Sequence, residues 1–176
     1  MTTKTLPQRK SIRLKHYDYS QNGAYFITVR TQEGRKLFGE VVGRDDPGAS
    51  SDLDFGTPPY VALSPYGVVV DKCVNEIATH YNDVTVDTYC VMPNHLHMII
   101  TVARAGSSAP ISPCPANALI PTIVAALKKV TNGACGISLW QTSYHDRIIR
   151  DEKEYLTVWE YIETNPLRWE LDRYYA

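Results

Sequence analysis

Several signatures are missing from this 176-residue chain. No stretch approaches the roughly 18 apolar residues needed to cross a bilayer, and the N-terminus lacks the apolar core of a secretory signal, so a cytoplasmic location is expected. The four cysteines, Cys73, Cys90, Cys114 and Cys135, form no CxxC pair and have no regular spacing. That pattern leaves neither a zinc ribbon nor a disulfide framework, and reduced, mostly buried thiols are expected. Excess charge is missing too: 18 Lys and Arg against 19 Asp and Glu give a net charge of -1, without the overall basic signature of a nucleic-acid-binding protein. Local charge is less even. Lys4, Arg9, Lys10, Arg13 and Lys15 crowd the start of the chain with no acidic neighbour. They form a basic arm over residues 1–20 that is either a solvated terminus or a strip able to lie along phosphates.

What is present reads as one globular domain over 1–176, with 44% hydrophobic residues and twelve tyrosines. Residues 24–30 (AYFITVR) are β-branched and aromatic and predict a first strand; 37–42 and 60–63 are shorter candidates. The Gly- and Pro-rich stretch over 43–59 is expected to be a loop, as is 104–120. Ser64-Pro65 supplies an N-cap and a first-turn proline, with Val70, Cys73, Val74, Ile77 and Tyr81 at helical spacing behind it. Residues 84–91 and 95–102 flank Met92-Pro93-Asn94 and predict an antiparallel hairpin. A second helix through Ile123, Leu127 and Val130 is expected to stop at Asn132-Gly133. Residues 137–149 read as largely extended, and a third helix runs from Asp151 to about Asn165. This order predicts an α+β sandwich: a mainly antiparallel sheet with helices packed on it, close to the ferredoxin-like arrangement.

The hairpin's second strand carries chemistry. Side chains alternate along a strand, so Leu96, Met98, Ile100 and Val102 share one face and His95, His97, Ile99 and Thr101 the other. The even face is expected to be the core. The two imidazoles then stand about 7 Å apart along the strand, close enough to bind one ion, or to be two half-exposed histidines satisfied by hydrogen bonds. A divalent ion needs an oxygen donor that this strand does not offer. In the third helix, Asp151 and Glu154 have the spacing of a capping box, and Tyr155, Val158, Trp159 and Ile162 form the apolar stripe. Tyr161 lies about 110° from the centre of that stripe and Asn165 about 70°, so Tyr155 reads as a core residue and Tyr161 does not. Tyr161 and Asn165 share a flank one turn apart, as a nucleophile and a metal ligand could, or as an edge tyrosine and a C-capping asparagine would.

The ordered set of MPNHLH, Trp140-Gln141, residues 144–152 (YHDRIIRDE) and 161–169 (YIETNPLRW), with residues 11–14 (SIRL), 17–19 (YDY) and 23–26 (GAYF) upstream, resembles the single-tyrosine HUH transposases. Within them it is most similar to the REP-associated tyrosine transposases, and the resemblance covers nearly the whole chain. It implies a ferredoxin-like domain that cleaves and rejoins single-stranded or hairpin DNA. In that match His95 and His97 are metal ligands, Asn165 completes the metal site, Tyr161 is the catalytic nucleophile, and the ion is Mg²⁺ or Mn²⁺. Tyrosine ionises near pH 10 in isolation, so such a nucleophile requires activation. Arg13, Lys15, Lys128, Lys129, Arg147 and Arg150 are candidate DNA-phosphate ligands. Asp146 could orient a histidine or pair with Arg150 or Arg168. A hairpin-DNA-binding protein without transposition and a phosphoesterase without a covalent intermediate are the alternatives, and either a monomer or a homodimer is compatible with the pattern.

Overall fold

The computed structural model describes residues 22–43, 58–103, 119–172 and 174. Arg13 and Lys15, the rest of the basic arm, Cys114 and most of the two expected loops lie outside the described residues. Among the described residues six strands and four α-helices follow in the order β1 (Gly23–Arg30), β2 (Gly39–Val42), β3 (Tyr60–Leu63), α1 (Pro65–Asn75), α2 (Ile77–His80), β4 (Val84–Met92), β5 (His95–Val102), α3 (Leu119–Cys135), β6 (His145–Ile149) and α4 (Glu152–Glu163). The main sheet is antiparallel throughout, in the order β4-β5-β1-β6, and β2 and β3 pair separately. This is the α+β arrangement that the element order predicts.

Both faces of the sheet are covered, so the even face of β5 is core as expected but the histidine face is buried too, and the alternative of half-exposed histidines does not hold. Tyr25, Ile27 and Val29 of β1 join Leu96, Met98 and Ile100 of β5, Val70 and Val74 of α1, and Ile123, Val124 and Leu127 of α3 in the larger core. On the opposite face Ile99 and Ile149 pack against Val158 and Ile162 of α4. Residues 95–100 are all buried as a result, and a strand buried on both sides shows no alternation of exposure. Cys90, directly opposite His97, lies on the α4 face, where burial pushes its thiol up to about 12. It therefore stays protonated and is a poor thiolate ligand or nucleophile. Cys73, Cys90 and Cys135 are half-buried rather than fully enclosed.

Two helix boundaries differ from expectation. Helix α3 runs through Asn132-Gly133 to Cys135, because Asn132 turns its side chain outward to accept from Leu139 N (2.9 Å) and Gly136, at φ +68°, takes the left-handed position instead. Helix α4 starts where the capping residues place it, with Asp151 Oδ1 accepting from Glu154 N at 2.8 Å. Its reciprocal half is shifted by one residue, since Glu154 Oε2 accepts from Arg150 N (2.9 Å). The helix ends at Glu163, and a 3₁₀ segment (Pro166–Leu171) leads the chain back toward β5.

Helix α4 is held by few residues. Ile162 is fully buried against the sheet, whereas Leu156, earlier on the same helix, is 59% exposed. Ile162→Ala is expected to cost about 2–5 kcal/mol and Leu156→Ala less than about 1 kcal/mol, measured by urea unfolding. Equal costs for the two would show that α4 is not anchored through this contact.

Candidate active site at the histidine strand

The β1–β5 register pairs Thr28 with His97 and Arg30 with His95. Residues directly opposed across strands project to the same face, so Thr28 and Arg30 stand beside the two imidazoles. His95 and His97 are fully buried, with ring centroids 4.4 Å apart. Their Nδ1 atoms face away from each other's partners and into hydrogen bonds: His97 Nδ1 lies 2.8 Å from Thr28 Oγ1, and His95 Nδ1 lies 2.9 Å from Asn94 Oδ1. The Asn94 amide has a determined orientation. Its Nδ2 donates to the carbonyls of Tyr174 (2.7 Å) and Gly34 (3.3 Å), which leaves Oδ1 as the acceptor from His95 Nδ1–H. His95 therefore keeps its lone pair on Nε2.

Tyr161 reaches the same place from α4. Its hydroxyl donates to Asp172 Oδ2 at 3.0 Å and touches His97 Nε2 at 3.3 Å. A phenol has one proton and a carboxylate can only accept, so the Asp172 bond is the donated one. Asn165, 1% exposed, donates from Nδ2 to the same Asp172 oxygen at 3.0 Å. Its own Oδ1 is buried and has no hydrogen-bond partner among the described residues. Tyr174 closes the other side: its backbone N donates to Asp172 Oδ1 (2.7 Å), its ring lies 4.8 Å from that of His95, and the Arg30 guanidinium sits 4.6 Å above it.

A ligand atom from each of His95, His97 and Asp172 falls within 4.8 Å of the others, so these three could hold one metal ion. Two neutral imidazole nitrogens and a carboxylate oxygen suit a divalent ion that keeps open positions. The orphaned Oδ1 of Asn165 is a fourth donor of the right type. The structure thus gathers His95, His97, Tyr161 and Asn165 at one point and adds Asp172, Thr28, Asn94, Arg30 and Tyr174, which sequence reasoning did not single out for the site. Asn94 sits in the quoted MPNHLH segment, where its position beside His95 was the available signal; Thr28 and Asp172 had none, because only strand pairing and the returning 3₁₀ segment bring them here.

The other tyrosine of α4 has a different role. Tyr155 is half-buried, its hydroxyl donates to Asp87 at 3.0 Å, and desolvation with that hydrogen bond pushes it up to about 12. It stays a neutral phenol. Of the candidate phosphate ligands, Lys128 directs its ammonium to the carbonyls of Gln141 (2.7 Å), Thr142 (3.2 Å) and Ser143 (3.0 Å), tying α3 to the segment before β6. Lys129 and Arg150 are exposed, and Arg147 pairs through Nε with Glu154 (3.2 Å). Asp146 is opposed to Ile27 and, across it, Met98, and so belongs to the sheet face opposite the histidines.

No family model matches the chain. An uncharacterised protein of Haemophilus influenzae is 32% identical over 194 aligned positions, which span 100% of this chain and 99% of that protein. The two proteins belong to one family. A solved REP-associated tyrosine transposase, bound in its structure to a REP hairpin, superimposes with a TM-score of 0.59 at 16% identity, over 94% of this chain and 77% of that one. The chain therefore has the fold of a REP-associated tyrosine transposase. No helix among the described residues is long and apolar enough to cross a membrane.

Removing an outer hydrogen bond to a ligating imidazole typically lowers metal affinity by about 10–100-fold. If His97 is a ligand of a bound Mn²⁺, Thr28→Val, which keeps the shape and deletes the hydroxyl, is expected to weaken that binding by about the same factor in an electron-paramagnetic-resonance titration. Unchanged affinity would remove His97 from the ligand set.

Proposed function

We propose that the protein is a metal-dependent nuclease and strand transferase for single-stranded or hairpin DNA, working through covalent attachment of DNA to Tyr161. The observation that carries this reading is the hydroxyl of Tyr161 lying within hydrogen-bond reach of both His97 Nε2 and Asp172 Oδ2, beside the second buried imidazole, that of His95. A tyrosine placed only for packing needs neither contact. The hairpin bound by the fold relative supports DNA as the substrate class.

His95, His97 and the oxygens of Asp172 and Asn165 are the donors that would hold Mg²⁺ or Mn²⁺. Bound there, the ion supplies Lewis-acid stabilisation of charge on the non-bridging oxygens of the scissile phosphate. The chain's own residues do the rest. Thr28 and Asn94 keep the two rings turned with Nε2 toward the site, and Asp172 holds the phenolic proton on the side away from the attacking lone pair. As Tyr161 oxygen bonds to phosphorus its phenolic proton passes to Asp172, the P–O3' ester breaks, and the departing O3' takes up a proton from Asp172 or water, so the upstream strand leaves as a 3'-hydroxyl and a 5'-phosphotyrosine remains. One ester replaces another, so a 3'-hydroxyl can reverse the step and join strands without a nucleotide triphosphate. Arg147, Arg150, Lys129, Arg13 and Lys15 are the cations available for flanking phosphates, and Lys128 serves the fold.

Incubation with single-stranded hairpin DNA and Mn²⁺ is expected to give a denaturation-resistant protein–DNA adduct. Tyr161→Phe should reduce the adduct below about a thousandth of wild type. Tyr155→Phe should leave it intact while costing about 1 kcal/mol of stability through the lost Asp87 bond. Cleavage that survives Tyr161→Phe without an adduct would rule out covalent catalysis.

A further inference from the structure

The histidine face of the sheet continues past Thr28 to the β6 edge. Register places His97, Thr28 and His145 in one row across the sheet and Ile99, Phe26 and Arg147 in the next. Helix α4 packs mainly on β4 and β5, so over β6 a cleft of about 480 Å³ remains between sheet and helix. Phe26, His145, Arg147, Thr157 and Tyr161 line it. The Phe26 ring is its aromatic floor, 5.2 Å from that of His97 and edge-on to that of Tyr161 at 6.1 Å. Arg147 is its cation; the ion pair with Glu154 uses Nε, and the two terminal nitrogens make no hydrogen bond within the described residues. Asp172, which accepts from the Tyr161 hydroxyl, and Tyr174, whose backbone N donates to Asp172, are not among the residues that line this cleft.

We propose that this cleft binds the nucleoside whose 5'-oxygen remains on the phosphorus joined to Tyr161. The inference rests on the covalent reading above and adds a subsite to it. When the tyrosine oxygen–phosphorus bond forms and the P–O3' bond breaks, the retained nucleoside is tethered to Tyr161 through phosphorus, O5' and C5' alone. Its base must therefore settle within a few bonds' length of the tyrosine. The cleft is the open space that begins at that side chain, and its volume falls within the range of small-ligand sites, about 300–1,000 Å³. An aromatic floor stacks any base, and an arginine at the rim suits the next phosphate along the strand.

The test uses small probes, thymidine 5'-monophosphate and 2-deoxyribose 5-phosphate, titrated in the presence of Mn²⁺ by calorimetry or NMR. The wild-type protein is expected to bind the nucleotide at least about tenfold more tightly than the base-less sugar phosphate. Thr157→Trp, at an exposed position of α4, fills the cleft and should abolish that preference; Phe26→Leu, which removes the stacking face but keeps an apolar core residue, should reduce it. Tyr161→Phe should retain the preference while forming no DNA adduct, which separates the nucleoside site from the chemistry. No preference for the base in the wild-type protein, or a preference unchanged in both cleft variants, overturns the proposal. A preference that disappears only with the cleft variants, in a wild-type protein that forms no adduct, would overturn the tyrosine chemistry and leave the nucleoside site standing.

Discussion

Burying two imidazoles side by side in an apolar strand is the constraint on which the rest of this structure depends. A polar ring taken out of water without a hydrogen bond costs on the order of a few kcal/mol, so each histidine needs a partner for the nitrogen turned toward the protein. Thr28 and Asn94 meet that need. Asn94 can do so only in one orientation, because its amide nitrogen is held by two carbonyls from distant parts of the chain. Its own carbonyl also accepts from Thr31 N (2.9 Å) and Thr31 Oγ1 (3.0 Å), so the β4–β5 turn, the end of β1 and the C-terminal segment share one hydrogen-bonded knot beneath His95. The requirement that satisfies the buried rings is the same one that aims their outer nitrogens into the site.

Helix α4 carries two functions on two sides. Val158 and Ile162 seal the histidine face of the sheet, and Tyr161 and Asn165 extend from the sealed edge to the cluster. The same burial encloses His95, His97 and Asn165, and in such surroundings a hydrogen bond or an ion contact is stronger than at the surface. Tyr155 and Tyr161 illustrate how position on one helix separates roles: one phenol is kept neutral by burial and by its bond to Asp87, the other is placed among imidazole and carboxylate.

Much of this was legible beforehand because it rests on local rules. The hairpin around Pro93-Asn94, the N-caps Ser64 and Asp151, and the separation of Tyr161 from the apolar stripe follow from turn chemistry and from periodicities of two and about 3.6 residues. Where local rules competed with packing they misled. Asn132-Gly133 looks like a helix stop, yet Thr131 is buried, donates to Leu127 O at 2.7 Å and accepts from Trp140 Nε1 at 2.8 Å, and the helix is carried past the stop signal. Lys128 looks like a free cation and is enclosed by three carbonyls, because the segment before β6 folds back over it.

By itself the sequence determined that His95 and His97 share a strand face and that Tyr161 and Asn165 share a helix flank, since both statements need only the repeat of a strand and of a helix. Tertiary structure alone decided that the two pairs meet. It covered the histidine face with α4, chose Thr28 as the partner of His97 through the register of β1 on β5, and returned Asp172 and Tyr174 to the cluster from beyond the helix. Those relations span up to about eighty residues of chain, as between Asn94 and Tyr174, and no periodicity in a single sequence encodes which distant residue will fill a given gap.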